Sequence, residues 1–391
     1  MIIGVVKETF PGERRVAVVP QTVPRLLKLG AQVLVERGAG LEAGLSDDEY
    51  SDQGARLADS RADVFAAADL VLAIRWLGAN PDAVQDDLNL VRPGQALVGL
   101  CEPLAAAELV QDFAERGGTL LALELLPRIT RAQTMDVLSS MAMLAGYKAV
   151  LLAADALPKM FPMMITAAGT ITAAKVLVVG AGVAGLQAIA TARRLGAVVQ
   201  AYDVRPAVKE EVESLGARFL ELPLETAAGE GGYARAMDES FYTRQRELMA
   251  RAVAASDVVI TTAAIPGQVA PRLVTASMVE GMTSGAVIVD LAAERGGNCE
   301  LTRPGQNVVA HGVQILGPLN LPATLPHDAS HLFARNVAAL ATLLVREGEL
   351  TIDVDDEVVA GTLAARDGEV VHPRVRERLE LVAADRPANK P

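Results

Sequence analysis

Over the first third of the chain, short apolar runs alternate with amphipathic stretches. "IIGVV", "AQVLVE", "DLVLAIR", "QALVGLC" and "TLLALEL" are too short for buried helices, so they are predicted strands of a sheet covered on both faces. "PQTVPRLLKLG" and "PLAAAELVQDFAERGG" carry apolar residues at helical spacing and end on glycine, as helices do. From Thr134 to Ala156 the apolar period is again helical, and Pro158 and Pro162 end it. The alternation restarts at Lys175 with six candidate strands: "KVLVVG", "AVVQAYD", "ARFLEL", "DVVITT", "AVIVDLA" and "GVQILG". Helices are predicted over 206–215 and 233–255 between them. Six strands with helical crossovers is the full set for a dinucleotide-binding domain.

After Pro326, "HDASHLFARNVAALATLLVREG" predicts a long helix that mirrors the first connector. "LTIDV" reads as a strand, and "EVVAGTLAARDGEVV" as a hairpin turning at Asp367-Gly368. The closing "ADRPANKP" is polar and expected to be loose. The pattern therefore predicts an α/β protein of two Rossmann-like, doubly wound domains, bridged by two long helices with a cleft between them. Residues 1–136 with 325–391 form the first domain, to which the chain returns, and 137–324 form the second.

Composition agrees with this division and narrows the partners. A chain of 391 residues with 51% hydrophobic content exceeds one compact core. A formal net charge of −12, with no basic stripe, argues against nucleic acid. Cys101 and Cys299 cannot make a disulfide framework, and "MIIGVVKETF" lacks the look of a secretory signal, so a cytoplasmic setting is expected. The run from Val176 to Ala192 falls just below the roughly 18–20 residues of a spanning helix and is glycine-rich at its centre, so no membrane span is expected.

One motif carries a mechanism. In "KVLVVGAGVAGLQAIATARRLGAVVQAYD", Gly180, Gly182 and Gly185 stand in GxGxxG spacing between a strand and a helix. The first glycine permits the turn, the second the approach of a pyrophosphate to the helix N-terminus, and the third close packing of helix on strand. Asp203 ends the next strand at the distance where a carboxylate accepts from the adenosine ribose hydroxyls and repels a 2′-phosphate, which favours NAD over NADP. Arg205 would welcome that phosphate, but Pro206 begins a helix directly after it. Ala181 and Val183 within the loop, and Val204 and Arg205 beside the aspartate, complete the candidate contacts here. The alternative is a glycine-rich turn serving packing alone. "LPLETAAGEGGYARAMDES" is longer than a crossover requires and reads either as a lid ending near Tyr233 or as a solvated acidic insertion.

The stretch "PRITRAQTMDVLSSMAMLAGYKA" raises a different question. It sets Arg128, Gln133, Asp136, Ser139 and Ser140 at the head of an apolar segment, with no histidine, cysteine or lysine before Lys148. Read blandly, it is a helix start capped by Thr130 or Thr134, with Asp136 favouring the dipole. All four histidines lie beyond residue 310. His327 and His331, one turn apart, have no evident third ligand, so no metal is expected. A dehydrogenase acting on a carbonyl or imine needs a proton donor beside the hydride acceptor, most often His or Lys, and none is obvious.

The runs "RITRAQTMDVLSSMAMLAGYKAV", "GAGVAGLQAIATARRLGA", "YDVRPAVKEEVESLGARFLEL", "TTAAIPGQVAPRLVT" and "VDLAAERGGNCE" closely resemble the NAD(H)-binding α subunit of proton-translocating nicotinamide nucleotide transhydrogenase. The resemblance extends from "KETFPGERRVAVVP" to "TIDVDDEVV". It implies that Arg128, Gln133 and Asp136 belong to a loop wrapping the nicotinamide end, that Ser139 joins Asp136 at the carboxamide, and that Gln133 reaches toward the second nucleotide. It also implies a mobile loop at "GEGGYA" closed by Tyr233, and nucleotide contacts at Thr262, Ala263 and Ala264. The implied partners are an NADP(H)-binding β subunit, transmembrane subunits and a second copy of the chain, with the chain peripheral on the cytoplasmic face of the membrane. Hydride passing from one nicotinamide to another consumes no proton at the reacting carbons, so amide, carboxylate and hydroxyl groups suffice to orient the rings.

Alanine dehydrogenase is the nearest alternative. It shares the "GERRVAVVP" start, including an arginine at the place of Arg15 that grips substrate carboxylate. Its catalytic lysine and histidine fall at Arg75 and Glu102 here, and arginine does not give up a proton near neutral pH. A module that only binds NAD is a third reading. It would have no reason to present Gln133 to a reaction partner.

Overall fold

The computed structural model describes residues 1–221, 239–263 and 268–385. The chain divides into two compact units, 1–141 with 323–391 and 142–322.

The first unit is built on β1 (Ile2–Val5), β2 (Gln32–Glu36), β3 (Arg56–Ala58), β4 (Leu70–Arg75), β5 (Ala96–Leu100) and β6 (Thr119–Ala122). These pair in parallel in the order β6-β5-β4-β1-β2-β3. Their side chains are buried on both faces, which is why the strands read as unbroken apolar runs rather than alternating ones. Trp76 is fully buried just past β4, with its indole N–H donating to the Val98 carbonyl at 3.0 Å and its ring edge-on to Phe65. Two helices absent from the sequence reading, Asp47–Asp52 and Arg61–Ala67, start at Ser46 and Ser60, whose side chains cap the backbone amides of Glu49 and Asp63.

In the second unit a small hairpin, β7 (Met164–Thr166) with β8 (Gly169–Ile171), precedes the main sheet. That sheet comprises β9 (Lys175–Val179), β10 (Val198–Tyr202), β11 (Arg218–Phe219), β12 (Val258–Thr261), β13 (Val287–Asp290), β14 (Asn307–Ala310) and β15 (Val313–Leu316). The order is β11-β10-β9-β12-β13-β15-β14, parallel except for the antiparallel edge strand β14, which the sequence reading lacked. "ARFLEL" shrinks to the two residues of β11. Successive strands are laid down to one side of β9 as far as β11 and to its other side from β12 on, so the order switches between β9 and β12, the place where open α/β sheets bind ligands.

The helix Val137–Ala156 begins in the first unit and continues into the second, whereas the long helix Pro326–Leu344 lies wholly in the first. Among the described residues, Val137–Ala156 is the one helix long and apolar enough to cross a membrane, with mean hydropathy 1.6. Core helices of soluble proteins meet the same length and composition. After Pro326–Leu344 the chain forms a short hairpin, β16 (Val345–Arg346) with β17 (Glu349–Leu350). It then makes the helix Glu357–Thr362 and adds β18 (Leu363–Arg366) antiparallel to β6, with β19 (Glu369–Val370) outside it. "LTIDV" is mostly irregular. "EVVAGT" is the helix Glu357–Thr362 and not part of the expected hairpin, which is confined to β18 and β19 and turns at Asp367-Gly368, where Asp367 has φ 53° and Gly368 φ 87°. A final helix, Pro373–Asp385, replaces part of the expected loose tail.

Candidate functional site

The nucleotide fingerprint lies in the second unit, where β9 turns into the helix Val183–Arg194. Gly180 has φ 99°, and a Cβ there would come within 2.5 Å of Thr262 Oγ1. A Cβ on Gly185 would lie 1.8 Å from the Gly180 carbonyl oxygen, so helix and strand could not approach as they do. Gly182 differs: it is the N-cap with φ −80°, no side chain caps the helix, and a Cβ would meet nothing within 4 Å. Nothing in the described protein requires glycine there. A bare helix N-terminus beside open space is the arrangement that accepts a phosphate group.

Asp203, at the end of β10, is almost enclosed. Its carboxylate accepts from the Ala181 amide at 2.7 Å, which ties the glycine loop to β10, and from the Arg205 amide at 2.9 Å. The Arg205 guanidinium grips it in a fork, Nε to Oδ1 at 2.9 Å and Nη2 to Oδ2 at 3.0 Å. Arg205 is thus folded onto the aspartate, and Val204 between them is half-buried. Thr262, after β12, donates its hydroxyl to the Gly180 carbonyl at 3.1 Å, and Ala263 is held by Asn298. Tyr233, Ala264 and the "GEGGYA" stretch lie outside the described residues.

The connecting helix packs directly on this loop. A Cβ on Gly146 would stand 2.1 Å from the Ala184 carbonyl, so glycine is what lets Val137–Ala156 reach the first turn of the fingerprint helix.

A second candidate group lies in the first unit. Residues Thr130–Met135 form 3-10 turns, and the α-helix starts at Val137 rather than Thr134. Asp136 itself caps it: Oδ1 accepts from the Ser139 amide at 2.9 Å and Oδ2 from the Ser139 hydroxyl at 2.5 Å. The expectation that Thr130 or Thr134 caps the helix therefore gives way to Asp136, because the turns carry both threonines outside it. Arg128 and Gln133 are exposed, Asp136 and Ser139 half-buried. Among the described residues the Gln133 side chain makes no hydrogen bond.

A third polar group lies past the carboxyl ends of β1 and β4. The enclosed Glu13 carboxylate holds Arg15 bidentately, at 2.7 and 2.6 Å, and also takes Arg75 Nε at 3.0 Å. Glu8 accepts from the Ile74 amide at 2.6 Å, and its pKa is pushed up to about 8, chiefly by desolvation and then by the Glu13 charge. Glu124 accepts from the Cys101 and Glu102 amides at 2.7 Å through one oxygen. Its other oxygen is buried without a partner among the described residues. Enclosure pushes its pKa up to about 7. Glu102 takes φ 50°, an uncommon conformation for a residue with a side chain. The rings of His327 and His331 lie tilted against each other with centroids 4.5 Å apart. Among the described residues no three His, Cys, Asp or Glu side chains group to hold a metal ion.

Two domain families of one architecture match the sequence: the N-terminal domain of alanine dehydrogenase/PNT over residues 4–145 and the C-terminal domain over 149–373. The chain belongs to the alanine dehydrogenase/PNT family. It is 46% identical to the first polypeptide of the NAD(P) transhydrogenase alpha subunit of Rhodospirillum rubrum, over 95% of this chain and 98% of that protein. The crystal structure of transhydrogenase from Sinorhizobium meliloti matches with a TM-score of 0.82 at 44% identity, covering 95% of this chain and 99% of that one. An L-alanine dehydrogenase structure matches almost as well in shape, TM-score 0.81, but at 26% identity over 98% of this chain and 100% of that one. Fold therefore does not separate the two branches of the family, and sequence does.

In this alanine dehydrogenase/PNT chain, several supporting residues escaped the sequence reading. Asn298, fully buried, accepts from the Ala263 amide and donates to the carbonyls of Ala263 and Pro271, fixing the loop after β12. Asp290, also fully buried, accepts from the Thr261 and Thr302 hydroxyls and from the Ala292 and Cys299 amides. Asp290 precedes "AERGGNCE" and Asn298 lies within it, and the glycine pair is the available signal: Gly296 and Gly297 have φ of 93° and 87°. For Glu13 the available signal is its place two residues before Arg15.

Proposed function

We propose that this chain is the NAD(H)-binding α subunit of a proton-translocating NAD(P) transhydrogenase. Hydride passes directly between NAD(H) held here and NADP(H) held by a partner β subunit, and transmembrane partners carry the proton path. The observation that carries this reading is the 46% identity to a transhydrogenase α subunit across nearly the whole of both chains. The residues fit the cofactor: the uncapped helix at Gly182 suits the pyrophosphate and Asp203 the adenosine ribose. Arg128, Gln133, Asp136 and Ser139 offer donors and acceptors for a carboxamide. When bound, NAD(H) supplies the hydride; the chain contributes binding, orientation and exclusion of water. No proton donor is required of it, which accords with a loop furnished only with arginine, amide, carboxylate and hydroxyl.

Alanine dehydrogenation is the second reading, favoured by the nearly equal fit in shape. Against it stands Arg75, bound to Glu13, where the resemblance places a catalytic lysine; a guanidinium is a poor proton donor beside a reacting imine. The deciding assay supplies NADH with pyruvate and ammonium, and separately with the thionicotinamide analogue of NADP+ and a transhydrogenase NADP(H)-binding subunit. The expected result is no turnover in the first and reduction of the analogue in the second. Steady NADH consumption in the first would overturn the reading.

The same reading takes the chain to be a homodimer, peripheral on the cytoplasmic face, with Val137–Ala156 serving as a connector and not as a membrane anchor. The hairpin β7–β8 supports the dimer. Isolated two-stranded hairpins are marginal in water, yet this one exposes Met163, Met164, Ile165 and Ile171 at 60%, 42%, 75% and 42%. At its base, Leu157, Phe161, Pro162 and Leu195 line a groove of about 760 Å³. A second copy covering hairpin and groove would remove this surface from water. Light scattering on Ile165→Asp should report a monomer at concentrations where the parent chain is dimeric. An unchanged mass would place the contact elsewhere.

A further inference from the structure

The segment from Pro127 to Ser140 carries the residues assigned above to the nicotinamide, but its shape is set by the distant return of the chain. Asn336, on the helix Pro326–Leu344, is 7% exposed. Its amide donates to the Thr134 carbonyl at 2.8 Å, and its oxygen accepts the Ser140 hydroxyl at 2.8 Å. One side chain therefore bridges the end of the 3-10 turns to the first turn of the α-helix. On the other side, Arg131 forks onto Asp356, Nη1 to Oδ2 at 2.7 Å and Nη2 to Oδ1 at 2.6 Å.

Asp356 is not a loose surface carboxylate. It is the N-cap of the helix Glu357–Thr362 and accepts from the Val358 and Val359 amides as well. Arg131 holds its pKa down, to about 2, so the fork is charged across any working pH. Farther along the same helix, a Cβ on Gly361 would sit 3.0 Å from the Pro127 ring, so the start of the segment rests against the return too.

Gln133 lies between these anchors. Arg131 is fixed two positions before Gln133 and the Thr134 carbonyl one position after it, while Ala132 and Met135 are buried at 1% and 6%. The backbone around Gln133 is held on both sides, and its side chain is exposed with no hydrogen bond among the described residues. Rigid support beneath an unengaged amide is what pre-organisation demands of a group that must meet a second reactant.

We propose that Asn336 and the Arg131–Asp356 pair are positioning residues for hydride transfer, acting by fixing the backbone that presents Gln133. This rests on the transhydrogenase reading. It assigns a consequence for hydride transfer to side chains whose partners shown here belong to the chain itself, two of which come from a stretch of the chain more than 190 residues away in sequence.

The test measures two quantities on folded protein: NADH affinity, and the rate of hydride transfer to the thionicotinamide analogue of NADP+ on the partner subunit. Asn336→Ala, Asp356→Asn and Arg131→Lys are compared with Gln133→Ala. Misplacing a reacting group by about 1 Å is worth up to about a hundredfold in rate, so Asn336→Ala is expected to slow transfer on the order of ten- to a hundredfold, with NADH affinity within about threefold. Arg131→Lys keeps the charge and loses the fork. It should fall with Asp356→Asn, whereas a purely electrostatic role would leave it near the parent. Arg131 is exposed, so its variant tests the idea even if Asn336→Ala fails to fold. Transfer at the parent rate in folded Asn336→Ala and Arg131→Lys, with Gln133→Ala impaired, would overturn the positioning role alone. Full transfer in Gln133→Ala would bring down the underlying reading instead.

Discussion

Gln133→Ala is expected to lose hydride transfer by roughly two orders of magnitude while NADH affinity stays within about threefold. Gln133 is exposed and makes no side-chain hydrogen bond among the described residues, so its removal should leave the fold and the glycine loop at 180–185 intact. The separation of the two effects is the informative part. A residue that helps bind NADH in ground and transition states alike would raise the dissociation constant with little change in maximal rate. A residue that orients the second nicotinamide should act only when both are present. Equal loss of affinity and rate would place Gln133 on NADH itself and remove its assigned role. An unaltered rate would favour a module that merely binds NAD.

Asp203→Ala should weaken NADH binding on the order of ten- to a hundredfold, because hydrogen bonds to a charged group contribute about 1.5–3 kcal/mol. The same substitution should narrow or reverse the preference over NADPH. In the parent protein the carboxylate engages Arg205 in a bidentate fork, so the guanidinium is not offered to a 2′-phosphate. Removing it leaves the guanidinium at the place where that phosphate would lie, and Arg is well suited to phosphate. Titration with both dinucleotides checks this. If NADH affinity falls and NADPH affinity does not rise relative to it, Arg205 does not sit where the 2′-phosphate would lie. If neither changes, the ribose is held elsewhere and the fingerprint reading of Asp203 is wrong.

The pairing of Asp203 with Arg205 also shows how far sequence could take the argument. Both residues were picked out from their distance to the glycine loop, one as favouring NAD and the other as a possible competitor. Sequence offered Pro206 as the reason to discount the arginine. The structure gives another: the two side chains neutralise each other. Spacing along a chain indicates which residues share an edge of a sheet, but not whether their side chains point to a ligand or to each other.

The strands of both sheets were legible because residues buried on both faces must be apolar, and a run of them needs no tertiary information to be recognised. β1, β2, β4, β5 and β6 fall within a residue or so of the apolar runs that predict them, except that "TLLALEL" ends in a 3-10 turn. Short elements with polar sequences were not legible that way. The helices at Ser46 and Ser60 carried their signal in capping residues, including the Ser46–Glu49 capping box, rather than in an apolar period. Strand β14, with an alternating exposed pattern, exists because β15 offers it an edge.

What the sequence by itself determined is the portion written in local chemistry: the α/β class, the glycine turn with its helix, and the family. Those depend on residue type and short spacing, which fix φ, ψ and strand or helix periodicity without reference to distant chain. The start of the connecting helix was decided by tertiary structure, since Asn336 and Asp356 hold Thr130–Met135 in 3-10 turns and leave Asp136 as the cap. So were the support of Gln133, the fork of Arg205 on Asp203, and the shared grip of Glu13 on Arg15 and Arg75. Each is a contact whose strength depends on burial and on geometry good to a few tenths of an ångström, and such geometry exists only once the chain has folded.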